Sequence, residues 1–319
     1  MSVLITGGTG FIGAEVARQL LQRGVDSITA FDRNASIQRL DEVAEKIELV
    51  QGDLGNFSHI LDIVRQTKPR TIYHLGGMLS APSDADPPSA FQANAMGTYH
   101  VLEAARLFEV EQVIFSSSVA TYGYGIEDQL NDLTLQRPQL FYGACKLFGE
   151  HMGLFYRRKY GLDFRGLRFA GVIGPGVRTP GVVQYASWSI EESAKGNPFT
   201  VWVRPDFTIP IIYFKDAALS AISLASAPAD RIQMVNYVVD GVPPSPNAGE
   251  LVQMVRDRIP GTRITFEVDE PVQEMLDRAV FPIDDSCARR EWDWQPQYDI
   301  ETMVDDFLRE MADHPQRYA

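Results

Sequence analysis

A strand-like apolar segment that runs directly into three regularly spaced glycines is the feature that most limits the fold of this chain. Residues 3–6 read as a β-strand, and a GxxGxxG spacing follows before a helical pattern begins. Such glycines permit a tight strand-to-helix turn and close approach of a pyrophosphate, while the helix N-terminus offers free N–H groups. The spacing predicts a dinucleotide phosphate site, and a plain glycine-rich turn is the alternative. The predicted phosphate loop contains Gly7, Gly10, Phe11, Ile12 and Gly13.

Strand-like and helix-like segments alternate through the first half of the chain. Further short apolar and β-branched runs occupy residues 27–31, 47–50, 71–75, 112–116 and 163–169, with helical patterns between them. This alternation predicts an α/β fold with a Rossmann-type, doubly wound parallel sheet over residues 1–170. Prolines and glycines then break the rhythm, so residues 171–319 are predicted to form a smaller C-terminal α/β substrate lobe. Chain crossings between the two parts and a frayed end after Met311 are expected.

An acidic residue at the end of the second predicted strand indicates which dinucleotide is bound. Asp32 lies 19 residues beyond Gly13, where a carboxylate accepts hydrogen bonds from the adenosine ribose hydroxyls and repels the 2′-phosphate of NADP. Arg33 beside it would favour that phosphate, and both residues are assigned to the cofactor site. We expect NAD as the cofactor.

Two further strand ends supply predicted cofactor contacts, because a parallel sheet binds its ligand outside the carboxyl ends of its strands. Asp53 and Leu54 close the third strand. The Asp53 carboxylate is expected to reach the adenine amine, and a turn or helix-cap role is the alternative. The fourth strand ends at His74 in small residues that let the backbone pass close to the cofactor. These residues are Leu75, Gly76 and Gly77.

The fifth predicted strand ends in three serines, and a tyrosine–lysine pair follows on a helix. Tyr142 and Lys146 are four residues apart and therefore share one helix face. An ammonium near a phenol lowers the pKa of the tyrosine from about 10, so that the phenolate takes a proton from an alcohol near neutral pH. The predicted catalytic set is Ser118, Tyr142 and Lys146, in which Ser118 orients the substrate hydroxyl. A chance YxxxK on an exposed helix is the alternative.

Composition limits the partners of the chain. A net charge of −13 disfavours nucleic acid, because a phosphate-rich polymer would be repelled. Two cysteines, and five histidines without ligand spacing, predict neither a disulfide framework nor a protein-held metal. No signal-peptide pattern or membrane-length apolar run is found, so we expect no membrane association and a cytoplasmic location. The expected partner is a small-molecule substrate.

Several segments together resemble the extended short-chain dehydrogenase/reductase superfamily, which includes nucleotide-sugar epimerases and dehydratases. They are TGGTGFIG (6–13), GDL (52–54), HLGG (74–77), NAMGT (94–98), FSSS (115–118), YGACK (142–146) and RFAGVIGPG (168–176). The resemblance implies that Asn94 and Phe169 lie on the cofactor side of the site. It also implies that Ser118, Tyr142 and Lys146 are catalytic. In that scheme Tyr142 and Lys146 contact the cofactor, and Ser118 and Tyr142 contact the substrate.

Within this superfamily the chain is most similar to the short-chain type of L-threonine 3-dehydrogenase. The segments that carry the similarity include YHLGGMLSA (73–81), RPQLFYGACK (137–146) and RPDFTIPIIYFKDA (204–217). The resemblance implies oxidation of a β-hydroxyl to give 2-amino-3-oxobutyrate, with NAD as acceptor. It further implies a substrate contact at Ser80 and a homodimer packed through helices at about residues 91–108 and 142–160.

Two segments depart from that family's usual pattern on the substrate side. A glycine- and threonine-rich loop is replaced by residues 178–184, where Arg178 is a candidate ligand for a substrate carboxylate because a guanidinium binds carboxylates in a bidentate way. A surface role for Arg178 is the alternative. A Trp-Pro pair is replaced by Phe281-Pro282. The predicted substrate-side residues are Ser80, Ser118, Tyr142, Arg178, Thr179 and Phe281.

Three functions stay open at this point. The favoured one is NAD-dependent oxidation of L-threonine or a related β-hydroxy acid, with Tyr142 as general base. A nucleotide-sugar 4-epimerase or dehydratase would use the same chemistry, but such enzymes commonly carry an arginine for the sugar-nucleotide pyrophosphate where this chain has Pro210. A non-catalytic NAD-binding protein would have no need of the intact catalytic set.

Overall fold

The computed structural model describes residues 2–318, and a seven-stranded parallel β-sheet lies at its centre. The strands are β1 (Ser2–Thr6), β2 (Ser27–Asp32), β3 (Glu48–Gln51), β4 (Thr71–His74), β5 (Gln112–Ser118), β6 (Asp163–Phe169), β7 (Gly171–Ile173), β8 (Phe199–Val201), β9 (Ile211–Tyr213), β10 (Asn236–Val239) and β11 (Ile264–Phe266). The central sheet has the order β3-β2-β1-β4-β5-β6-β10. Two small parallel pairs, β7 with β9 and β8 with β11, lie outside it.

Thirteen α-helices, three 3₁₀ helices and one π-helix connect these strands in the described part of the chain. The α-helices are α1 (Phe11–Gln22), α2 (Phe57–Thr67), α3 (Ser80–Ala85), α4 (Pro87–Ala90), α5 (Gly97–Leu107), α6 (Phe141–Tyr160), α7 (Tyr185–Ala194), α8 (Phe214–Ser226), α9 (Ala248–Arg258), α10 (Glu270–Ala279), α11 (Ser286–Trp292), α12 (Ile300–Asp313) and α13 (Pro315–Tyr318). Short 3₁₀ helices occupy Asp41–Lys46, Val119–Thr121 and Ala229–Arg231, and a π-helix at Phe91–Met96 joins α4 to α5.

Helices contact the central sheet in two groups, α1 with α8 and α2 with α5 and α6. Strands covered in this way carry near-continuous apolar runs, and Val3, Leu4 and Ile5 of β1 are all buried. The predicted α/β fold with a Rossmann-type parallel sheet is therefore confirmed. All seven strands run in one direction, so their carboxyl ends meet at one edge, where the glycine loop and the three serines lie.

A second core lies in the part of the chain after β6. It is built from apolar side chains of β8, β9, α7, α9 and α12, among them Val201, Ile211, Ile190, Leu251 and Phe307. The chain crosses back once more, because β10 pairs with β6 at the edge of the central sheet. The division into residues 1–170 and 171–319 stays a prediction.

Helix α13, at residues 315–318, is docked against the rest of the molecule. Arg317 forms ion pairs of 3.1 Å with both Asp41 and Glu310, and the Tyr318 hydroxyl donates to Glu310 at 2.8 Å. Both Arg317 and Tyr318 are buried. The expected frayed end after Met311 is therefore wrong, because charged and aromatic side chains there have partners on distant elements that the local sequence does not reveal.

Among residues 2–318, no helix is both long enough and apolar enough to cross a bilayer. The cellular location stays a prediction.

Candidate active site

The glycine loop between β1 and α1 is closed so tightly that side chains would not fit. The Gly7 amide donates to the Phe31 carbonyl at 2.8 Å, and Gly7 has a φ of +69°, which favours glycine. A Cβ at Gly7 would lie 2.7 Å from the Gly76 Cα, and a Cβ at Gly13 would lie 2.1 Å from the Gly7 carbonyl oxygen. The Gly10 amide donates to the same oxygen at 3.0 Å. The glycine spacing therefore serves close backbone packing at this turn.

The N-terminus of α1 is left open by this turn. Gly10 is its N-cap and no side chain caps the first helical turn, which begins at Phe11 and Ile12. The Phe11 ring points into the second part of the chain, where it stacks on Phe214 with ring centroids 5.3 Å apart. Free N–H groups at a helix end, beside backbone with no side chains in the way, fit the pyrophosphate of a dinucleotide.

Asp32 lies at the end of β2, directly beside this loop. Its carboxylate accepts hydrogen bonds from the Thr9 and Asn34 amides, both at 3.3 Å. These bonds are long, and a carboxylate has further lone pairs for ribose hydroxyls. Arg33 is exposed, and its carbonyl accepts a hydrogen bond from Gln51 at 3.1 Å. A cofactor contact at Asp32 and Arg33 stays a prediction.

Asp53 and Leu54 follow β3 and differ in role. The Asp53 carboxylate accepts a hydrogen bond from the Gly55 amide at 2.8 Å, which is the turn role that the sequence left open. Leu54 packs under the loop after β4, because a Cβ on Gly76 would lie 2.9 Å from its Cδ1. An adenine contact at Asp53 stays a prediction.

The loop after β4 is fixed by Asn94, which lies in the π-helix, an element that often marks functional positions. Its Oδ1 accepts from the Met78 amide at 2.7 Å, and its Nδ2 donates to the Met78 carbonyl at 3.0 Å. A Cβ on Gly77 would lie 2.7 Å from that Oδ1 and 3.8 Å from the Lys146 Nζ. Leu75 precedes these glycines, and its amide donates to the Thr6 carbonyl at 3.1 Å. Asn94 thus holds bare backbone beside the lysine.

Three consecutive serines at the end of β5 are each joined to α6. The Lys146 Nζ donates to the Ser116 carbonyl at 2.6 Å, and the Ser117 hydroxyl donates to Glu150 at 2.5 Å. The Ser118 Oγ accepts from the Ala120 amide at 3.1 Å, and hydrogen bonding with the Ser118 side chain acts to lower the pKa of Tyr142. The structure therefore brings the predicted set of Ser118, Tyr142 and Lys146 together at one strand end.

Burial shifts both titrating groups of this set. It raises the pKa of Tyr142 to about 12, and the hydrogen bond with Ser118 acts against that rise. It lowers the pKa of Lys146 to about 8. The sequence-based expectation that Lys146 lowers the pKa of Tyr142 differs from this result, because desolvation outweighs other influences and the Nζ lies 5.6 Å from the centre of the phenol ring.

Other predicted residues lie around this set. Phe169 ends β6 and pairs with Ser118 across the sheet. Ser80 begins α3, and that helix is tied to the start of α6 because the Asp84 carboxylate accepts from the Phe141 amide at 3.2 Å. Phe281 packs in the same apolar cluster as Val119, the residue after Ser118. These contacts connect the elements that carry the predicted substrate-side residues to the catalytic set.

Arg178 and Thr179 lie in the loop between β7 and α7. The Arg178 guanidinium donates to the Tyr318 carbonyl at 2.5 Å and lies 3.6 Å from the buried Glu191 carboxylate. Among residues 2–318, no hydrogen bond or ion pair joins Arg178 to Ser118 or Tyr142. Its side chain is 54% exposed, so one side of the guanidinium is open to solvent. A carboxylate-binding role for Arg178 stays a prediction.

Sequence reasoning missed two charged residues close to the catalytic set. Glu150 lies two helical turns after Tyr142 and is buried, and it forms an ion pair of 2.7 Å with the buried Arg168 of β6. Two signals could have found them. Glu150 continues the four-residue spacing of Tyr142 and Lys146, and Arg168 is a charged residue within a buried strand, where charges are rare unless they are paired.

The family model described as the NAD dependent epimerase/dehydratase family matches residues 3–239. This range contains the glycine loop, the three serines, and the Tyr142 and Lys146 pair. It extends through β10, the last strand of the central sheet.

Individual relatives match over a longer range. A mitochondrial L-threonine 3-dehydrogenase of Bos taurus is 30% identical over 310 residues, which cover 96% of this chain and 81% of that protein. The structure of a GalE-like L-threonine dehydrogenase from Cupriavidus necator in its holo form gives a TM-score of 0.87 at 28% identity, covering 98% of this chain and 100% of that chain. A UDP-glucose 4-epimerase from Thermotoga maritima gives 0.86 at 19% identity, covering 98% and 99% of the two chains, and shares the fold.

Proposed function

The chain belongs to the NAD-dependent epimerase/dehydratase family, and we propose that it oxidises the β-hydroxyl of L-threonine or of a closely related β-hydroxy acid. It is an NAD-dependent oxidoreductase, in line with its L-threonine 3-dehydrogenase relatives. The arrangement of the half-buried Ser118 with the buried Tyr142 and Lys146 at the end of β5 supports the reaction type. The choice of L-threonine as first substrate comes from those relatives.

The residues assigned to the cofactor would each bind a different part of the dinucleotide. The α1 N-terminus after Gly10 would hold the pyrophosphate, and Asp32 would accept the adenosine ribose hydroxyls. Gly76 and Gly77 would present bare backbone to it, and Lys146 would donate to the nicotinamide ribose. When bound, NAD supplies the acceptor for the hydride that leaves the carbinol carbon, so the substrate loses two electrons.

The proton of the substrate hydroxyl would pass to the Tyr142 Oη. Ser118 would hold that hydroxyl, since a serine side chain both donates and accepts. Because burial raises the pKa of Tyr142 to about 12, removal of its proton is favoured by high pH. The Lys146 ammonium, buried on the same helix face, would stabilise the negative charge on the phenolate.

A substrate screen tests this proposal. The purified protein is incubated with NAD and L-threonine, other β-hydroxy amino acids, β-hydroxy acids lacking the amine, and UDP-sugars, and NADH absorbance is followed between pH 7 and 9.5. We expect NADH with L-threonine or a near relative and none with Tyr142→Phe. No NADH with any β-hydroxy acid would contradict the proposal.

A nucleotide-sugar epimerase would give a different result in the same screen. It would retain NAD through purification and interconvert UDP-sugars without net NADH formation. Pro210 stands where such enzymes commonly carry an arginine for the sugar-nucleotide pyrophosphate, so we expect no UDP-sugar turnover.

We further propose that the protein is a homodimer packed through α5 and α6. Large apolar side chains on or next to these helices are more than a third exposed in the single chain. They are Leu107, Phe108, Phe148, Leu154 and Tyr160. Light scattering after size exclusion should give twice the chain mass of 35.6 kDa, and a Phe148→Glu/Leu154→Glu double variant should give the monomer mass. A wild-type monomer would contradict the proposal.

A further inference from the structure

Three successive turns of α6 contact three successive serines of β5. The contact between Ser117 and Glu150 has no part in the proposed function. Tyr142, Lys146 and Glu150 follow one another at four-residue spacing and are all buried. Ser117 lies between the serines that contact Lys146 and Tyr142, and it donates to Glu150. A buried carboxylate at this point needs a reason, because an unpaired charge inside the protein is strongly destabilising.

Glu150 is held from several sides. Arg168 donates to its two carboxylate oxygens from Nε at 2.9 Å and from a terminal nitrogen at 2.7 Å. Gln136 donates to it at 3.0 Å. Arg168 pairs with Ser117 in the register of β5 and β6, so strand pairing brings the guanidinium and the hydroxyl to the same carboxylate. Bidentate pairing of this kind fixes the position of the carboxylate and stabilises its negative charge.

The same arginine reaches the segment between β5 and α6. It donates to the Tyr122 hydroxyl at 2.8 Å, and that hydroxyl in turn donates to the Asn131 carbonyl at 2.9 Å. This segment leads directly into the first turn of α6, which carries Tyr142. The network around Glu150 therefore fixes both the end of the strand and the entry to the helix.

We propose that Glu150 is a positioning residue, which fixes the Lys146 ammonium beside Tyr142 and keeps it charged. This inference rests on the proposed function. Glu150 does not touch the predicted place of the substrate. It acts through the shared strand end, because Ser116 binds Lys146 and the next residue, Ser117, binds Glu150.

The charges around Lys146 agree with this role. Burial lowers the pKa of Lys146 to about 8, while the nearby Cys145 and Glu150 act to raise it. Cys145 is a thiol whose pKa is raised by burial, and His74 on β4 is held neutral, with its pKa lowered to about 3 by burial and by Lys146 itself. Glu150 is thus the carboxylate that favours the ammonium, and its removal should let Lys146 lose its proton at lower pH.

Replacement of the carboxylate by its amide tests this directly. Glu150→Gln keeps an acceptor for Ser117 and removes the charge. Lysine labelled with ¹³C at Cε allows the Lys146 titration to be followed by NMR without turnover, since the chain has only six lysines and Lys146→Arg assigns the signal. We expect the Lys146 titration to move down by about one pH unit. The alkaline limb of kcat/KM should move with it, while the KM for NAD changes less than kcat.

A double variant guards against loss of folding, because Glu150→Gln alone leaves a buried guanidinium without its charge partner. Glu150→Gln/Arg168→Gln removes both charges and should shift the Lys146 titration in the same direction by a smaller amount, because loss of the guanidinium offsets part of the loss of the carboxylate. Glu291→Gln is the matched control, since Glu291 is also a buried carboxylate with an arginine neighbour, Arg290, and belongs to a different cluster. It should lower the melting temperature and leave the Lys146 titration unchanged.

Two results would overturn the proposal. One is an unshifted Lys146 titration in both folded variants, and the other is a loss of folding in both, which would make Glu150 structural. The NMR titration separates this outcome from a failure of the proposed function. If no β-hydroxy acid is oxidised by the wild type but Glu150→Gln still shifts Lys146, the substrate proposal fails and the positioning role stands.

Discussion

The carboxyl end of β5 and the loop at residues 178–184 are both predicted to line one site, yet they are held in different ways. Ser117, Lys146 and Glu150 are buried and joined to one another through the core of the central sheet. Arg178 is half exposed and is held by the carbonyl of Tyr318. The residues of the predicted catalytic set are thus held by the core of the central sheet, whereas the loop is held by a partly buried contact with Tyr318.

This contrast explains where the chain can vary. A change among the buried groups leaves a charge or hydroxyl without a partner, which destabilises the fold as well as the site. A change in the loop costs little because its polar groups reach water. We therefore expect the reaction type to be robust and the substrate preference to be set by the loop.

The largest effect is expected at the centre of the buried region. Tyr142→Phe removes the group that takes the substrate proton, so kcat should fall by about a thousandfold, within the range of general acid–base catalysis. NADH binding, followed by fluorescence, should stay within about twofold. Tyr156→Phe is the matched control on the same helix, where the hydroxyl donates to Glu103 at 2.7 Å. A Tyr142→Phe enzyme with wild-type kcat would assign the base to another group.

Ser118→Ala should shift the pH dependence instead of abolishing activity. Hydrogen bonding with Ser118 lowers the pKa of Tyr142, so its loss raises that pKa further. The acid limb of the activity profile follows the loss of the Tyr142 proton, so in Ser118→Ala this limb should move to higher pH. At pH 7, kcat/KM should therefore fall by about ten- to a hundredfold. Ser116→Ala is the control, because Ser116 binds Lys146 through its main-chain carbonyl. An unshifted acid limb in Ser118→Ala would mean that Ser118 does not influence the pKa of Tyr142.

The buried region is also the part that the sequence predicts well. Strand alternation, the glycine spacing and the Tyr142–Lys146 interval are local patterns, and local patterns fix the sheet and the strand ends. Glu150 and Arg168 escaped notice because their meaning depends on pairing between β5 and β6, which lie about fifty residues apart. The docking of Tyr318 on Arg178 joins residues 140 positions apart and leaves no local pattern at all.

Deletion of residues 315–319 should affect the loop more than the chemistry. It removes the Tyr318 carbonyl that holds Arg178 and the ring beside Gly176, where an added Cβ would lie 2.9 Å from Tyr318. We expect the KM for the substrate to rise by about tenfold, since loops without such contacts open locally. Hydrogen exchange across residues 174–184 should rise as well. Tyr318→Phe keeps the carbonyl and should change neither, and an unchanged KM in the deletion would remove the link between the chain end and the loop.

The smallest effect is expected at Arg178. It distinguishes a role of Arg178 in substrate binding from a role in holding the loop to Tyr318. A half-exposed ion pair is worth about 1 kcal/mol or less, so Arg178→Ala should raise the KM for a β-hydroxy acid by about two- to fivefold. The KM for the corresponding amide, which has no carboxylate, should not change if the guanidinium binds that group. Equal changes for the acid and the amide would mean that Arg178 acts by holding the loop to Tyr318, as the chain-end deletion does. The two variants together then separate recognition of the substrate from support of the loop.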